Sequence, residues 1–156
     1  MRKVDINLLR VASVLWIVWG TFHVFIGMFL LSTDTVSAIQ GIANNVEPSA
    51  LEGDYPSALK ALLNQHAWNI TWFGLATTIG GVFIWKRNLT AIWVTALIGG
   101  LADLGYFIFI DLGGLSTFVP GTVFTIISGL AIACSFKAWL ACWKSKRFCK
   151  EMRLDE

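Results

Sequence analysis

Charge, proline, histidine and cysteine are all scarce in this chain. Charged residues make up 14% of its 156 positions, against roughly 25% in soluble domains. Three prolines and no run rich in glycine or serine leave nothing to act as a linker, so a single domain over residues 1–156 is expected. Cys134, Cys142 and Cys149 have neither the spacing of a metal finger nor the framework of a disulfide-stapled fold. No segment alternates apolar and polar residues, which excludes a transmembrane β-barrel. The pairs Gly80-Gly81 and Gly99-Gly100 lack a phosphate-loop lysine, so no nucleotide site follows. Asn69-Ile-Thr and Asn88-Leu-Thr match the glycosylation acceptor pattern but fall within a span and on the cytoplasmic side.

What the chain has in excess is apolar residues, 56% of the total. They gather in four blocks, about 8–31, 67–85, 89–110 and 119–143. Each is near or above the roughly 20 residues that an α-helix needs to cross a hydrocarbon core. The first block begins on basic residues like a signal peptide. Its apolar core of about 21 residues exceeds the roughly 7–15 of a cleavable signal, and it reads as a retained helix. The expected fold is therefore an all-α integral membrane protein, a four-helix antiparallel bundle in the lipid bilayer.

Lysine and arginine set the expected orientation, because positive charge in short flanking loops resists translocation. Eleven of the twelve fall at the N-terminus, in the second connection or from Lys137 onward; only Lys60 lies elsewhere. Both termini are expected in the cytoplasm, with connections 32–66 and 111–119 outside, a pattern that fits a bacterial inner membrane. The tail 144–156 reads as juxtamembrane charge near anionic headgroups, and nucleic acid is rejected as a partner. In the 32–66 loop, Thr33 and Asp34 are capping candidates for a short helix through Val36, Ile39 and Ile42. Tyr55-Pro56 opens a second helix able to run on into the second span.

Polar residues inside spans are costly and usually face the interior, which makes each a site candidate. They are His23, with glycines Gly20 and Gly27 about one turn to either side, His66 and Asn69, Asp103 and Tyr106, and Asp111. With a rise of 1.5 Å per residue, His23, Asp103, Asn69, Tyr106 and His66 lie roughly 20, 22, 24, 27 and 28 Å from the inner face. One band of the outer half is thus expected to gather them. Residues three, four and seven apart share a helix face, which predicts the stripes Gly20–His23–Gly27, Gly99–Asp103–Tyr106 and His66–Asn69–Phe73.

Two functions follow from that band. In the first, His23 and Asp103 are acid or base groups of a pocket for a small or lipophilic ligand. His66, Asn69, Tyr106, Asp111, Trp19 and Trp72 orient that ligand, and the outer loop is a lid. In the second, a His23–Asp103 contact only fastens helices, in a structural subunit of a homo-oligomer or a membrane complex. A metal site lacks a local motif, since His66-x-x-Asn69 puts a poor ligand at the informative position. Haem on His23 and His66 suffers from their separation of about 8 Å in depth. Transport would need an oligomer, because the inner halves offer only hydroxyls: Ser13, Thr77, Thr78, Thr95, Ser128 and Ser135. No cofactor is identified, and small residues (Gly20, Gly27, Ala76, Gly80, Gly99, Gly100, Ala102, Gly105, Gly129, Ala133) mark faces expected to pack closely.

Overall fold

The structure is a computed structural model that describes residues 3 to 144. Among the described residues all regular structure is helical and there is no strand. Helix α1 spans Lys3–Ser32, α2 Thr35–Ile42, α3 Ser57–Trp85, α4 Leu89–Tyr106 and α5 Val123–Lys144. Four segments are long and apolar enough to cross a membrane: Asp5–Ser32, Ser57–Trp85, Leu89–Asp111 and Phe118–Trp143. The basic tail and Cys149 lie outside the described residues; Cys134 is a free thiol.

Local chemistry sets the ends. The hydroxyls of Ser32 and Thr33 donate to the carbonyls of Phe29 and Leu30 at 2.7 and 3.2 Å, satisfying acceptors that the end of α1 leaves open. Asp34 caps α2 by accepting from the Ser37 backbone N–H at 2.9 Å and from its hydroxyl at 2.8 Å. These donors hold the exposed Asp34 carboxyl below the usual carboxylate range, the Ser37 N–H contributing most. Asn88 caps α4 by accepting from the Ala91 N–H at 2.9 Å. The turn before it places Arg87 at φ 67°, a left-handed conformation that lets two long helices meet across three residues.

Helix α3 begins at Ser57, directly after Pro56, and so includes the second loop helix as well as the second span. Two wide, π-type turns flank the last connection, Phe107–Asp111 and Phe118–Thr122, the second containing a cis Val119–Pro120 bond. The two long connections meet. Asn45 donates from its backbone N–H to Leu115 O at 3.0 Å and from Nδ2 to Gly114 O at 2.8 Å, and Asn44 Oδ1 accepts from the Thr117 N–H at 2.6 Å.

Helix α1 packs along α3 and α5, and α4 packs along the same two. The α1–α3 contact is the closest. A Cβ added to Gly74 would lie 2.5 Å from Gly20 O and 2.6 Å from Val24 N, so the two backbones touch only because both glycines lack side chains. Gly129 differs from the expected pattern. A Cβ there meets nothing within 4 Å, and Ala133 is exposed, so this small-residue pair faces outward and brings no helix close.

The core joins Leu9, Trp16, Trp19, Ile84, Ile92, Ala131 and Ala138, while a smaller cluster sets Ala38 of α2 on Leu30 and Ala67. Large apolar side chains point out along every long helix, among them Phe25, Leu62, Leu101 and Leu130, each more than half exposed. Patches of that extent suit a lipid environment and not water.

Candidate functional site

A cavity of about 370 Å³ lies among α1, α3, α4, α5 and α2. Helix α1 lines it with Trp19, Phe22 and His23, α3 with His66, Ile70 and Phe73, and α4 with Ala102, Asp103 and Tyr106. Phe109, Pro120, Gly121 and Phe124 line it from the last connection and α5, and Gly41 and Ile42 from α2. The wall is mostly hydrocarbon and aromatic ring, with a few polar atoms among them, the composition usual for small-molecule sites.

Asp103, 6% exposed, accepts a hydrogen bond from the Trp19 indole N–H, Nε1 to Oδ2, at 2.8 Å. Ser128 of α5 adjoins the same carboxylate; its hydroxyl is also 3.0 Å from Thr125 O, and its one proton serves either acceptor. The Trp19 ring lies flat on the His23 imidazole, centroids 3.6 Å apart and planes 19° from parallel. Phe22 and Phe124 present ring edges to His23 at 5.7 and 5.8 Å. His23 Nδ1 is 2.7 Å from Trp19 O, and since a carbonyl can only accept, a proton sits on Nδ1; in the neutral ring the lone pair is then on Nε2.

The direct His23–Asp103 contact expected from sequence is replaced by an arrangement through Trp19, which bonds the carboxylate with its ring nitrogen and covers the imidazole with its face. Tyr106 Oη lies 3.2 Å from Ile42 O and 3.0 Å from Ser116 Oγ, joining α4 to α2 and to the last connection at the α2 end of the cavity. His66 lines the cavity and is exposed, which puts it at the rim.

Three expected site residues are elsewhere. Asn69 accepts from the Trp72 indole N–H at 3.2 Å, and neither lines the cavity. The reason is angular: three residues advance a helix by about 300°, so Asn69 is turned roughly 60° from His66, whereas Ile70 and Phe73 are within about 40°. Asp111 accepts from Thr122 and Thr125 hydroxyls, both at 3.3 Å, and so ties the wide turn to the start of α5. Among the described residues no three His, Cys, Asp or Glu side chains gather as a metal site.

Ser128 and the rings of Phe22, Phe109 and Phe124 are site components that sequence reasoning missed. An apolar helix offers phenylalanines on every side, and no pattern distinguishes those facing a cavity from those facing lipid. Comparison of the chain with family models, curated proteins and solved structures finds no match.

Proposed function

We propose that this chain is a four-helix integral membrane protein whose interior cavity binds a small lipophilic ligand, with His23 and Asp103 as its polar contacts. The observation that carries this reading is the cavity itself. It holds about 370 Å³ beside a buried carboxylate and an imidazole whose Nε2 is unused by the contacts on Nδ1. Polar groups kept in an apolar interior are costly, and a ligand that completes their hydrogen bonds offsets that cost. Proton exchange with such a ligand would run through His23 Nε2.

The arrangement we propose is an antiparallel bundle. In support, contacts between α1 and α3 run in opposite sequence directions, with Ser13 against Gly81 and Gly27 against Thr71. Gly80 against Thr95 with Thr77 against Gly99, and Gly100 against Ile132 with Trp93 against Phe136, follow the same rule for α3–α4 and α4–α5. The charge asymmetry supports a reading in which the cavity lies in the half away from the cytoplasm, in a membrane such as a bacterial inner membrane, with both termini inside.

A second reading rests on a specific observation. The Trp19–Asp103 bond, with Ser128 beside it, fastens α1, α4 and α5, and a subunit needing only shape would keep it.

Native mass spectrometry of the full chain in mild detergent separates these. The ligand-binding reading expects a small-molecule adduct, lost in Ala102→Phe, which fills the cavity from α4. A folded, unliganded mass in both proteins contradicts it.

A further inference from the structure

Apart from His66 at the rim, which carries one N–H and one lone pair when neutral, the polar side chains of the cavity have one character in common. Trp19 spends its only donor on Asp103 Oδ2 and Ser128 adjoins the same carboxylate, whose remaining lone pairs can only accept when it is ionised. His23 spends its proton on Trp19 O, leaving Nε2 to accept. The Tyr106 hydroxyl is engaged by Ile42 O and Ser116 Oγ at the α2 end. Those groups thus offer acceptors, and a ligand that meets them has to bring donors.

Charge points the same way. No lysine or arginine lines the cavity. Lys60 donates to Thr33 O, and Arg10 lies over the Trp85 ring at 5.5 Å, far along α3 from His66. An ionised Asp103 in this setting lacks a countercharge from the wall, a costly condition that a bound cation relieves. The remaining surface is aliphatic, as at Ile26, Ile70 and Ile110, and aromatic: Trp19, Phe22, Phe73, Tyr106, Phe109 and Phe124. Ring faces attract cations and rings pack against apolar groups, so one lining serves both ends of an amphipathic cation.

Building on the ligand-binding reading, we propose that the ligand is an organic cation: an alkyl or arylalkyl ammonium. Its N–H groups are shared between Asp103 and His23 Nε2, and its hydrocarbon part lies among the rings. A carboxylate ligand would meet the charge of Asp103. A neutral alcohol brings one donor for two acceptors and no countercharge.

The test uses three probes of one shape, 2-phenylethylammonium, 2-phenylethanol and phenylacetate, titrated calorimetrically at pH 7 into the full chain in detergent micelles. The ammonium is expected to bind about tenfold or more tighter than the alcohol, the span of a charge-assisted hydrogen bond. Phenylacetate should give no heat. Asp103→Asn should bring ammonium and alcohol to within about threefold of each other; where that variant fails to accumulate, the comparison on the unaltered chain decides. Alcohol binding as tightly as ammonium overturns the cation but leaves a ligand site. Binding of phenylacetate, or heat from none of the three, also overturns the cation. The ligand-binding reading then stands or falls on the mass-spectrometric adduct alone.

Discussion

The Trp19 indole N–H reaches Asp103 across 84 positions of sequence and meets its carboxylate at 2.8 Å. Through it α1 and α4 share a polar group, and removing either half leaves the other buried. Trp19→Phe keeps a ring to stack on His23 but deletes the donor, and a loss of about 1–3 kcal/mol is expected. Trp16→Phe is the control: Trp16 is equally buried, and its Nε1 has no protein partner. Thermal unfolding in detergent should therefore separate the two variants, with Trp19→Phe the less stable. Equal losses would show that only ring volume counts.

Close approach of α1 and α3 predicts a sharp contrast among glycines. Gly74→Ala pushes a methyl into the backbone of α1 and should cost roughly 1–3 kcal/mol or more. Gly129→Ala, with open space at the same atom, should be neutral or stabilising by up to about 1 kcal/mol through helix propensity. Accumulation and melting temperature of the two proteins check this, and similar behaviour would contradict the packing described.

Helix α2 is capped at its N-terminus by Asp34. Asp34 has a depressed folded pKa, so its contribution is present above the ordinary carboxylate range and is lost as pH falls through the folded value. Hydrogen exchange of residues 35–42, corrected for intrinsic rate, should accelerate several-fold in acid. Asp34→Ala should show the fast rate already at pH 7, and exchange in Asp34→Ala that matches the unaltered chain at that pH would mean that another contact orders α2.

Tyr106 joins α4 to α2 at the α2 end of the cavity. Tyr106→Phe should leave the fold in place and speed ligand dissociation, as read by the lifetime of the adduct in native mass spectrometry. An unchanged lifetime would place the exit elsewhere, at the His66 rim.

Much of this was legible in the sequence, and the limits have physical causes. Apolar block length alone marked four spans, and all four reappear within a few residues apart from the start of α3. There the loop helix after Pro56 runs into the span without a break. Helical rise put His23, Asp103, Tyr106 and His66 near one level, and all four line one cavity. Angular resolution failed sooner: Asn69 is a single residue from Ile70, yet that step turns it off the cavity face. Pairing was not legible at all. Depth says which groups can meet, but only coordinates show that the donor for Asp103 is an indole and not the imidazole beneath it.

The most direct test of the ligand site is crystallographic. Crystals of the full chain soaked to saturation with 4-bromobenzyl alcohol, a neutral probe that is independent of the charge argument, should give an anomalous bromine peak inside the cavity among Phe22, Phe73 and Phe124. A map in which those side chains close on one another, with no peak between α1 and α4, would contradict the account.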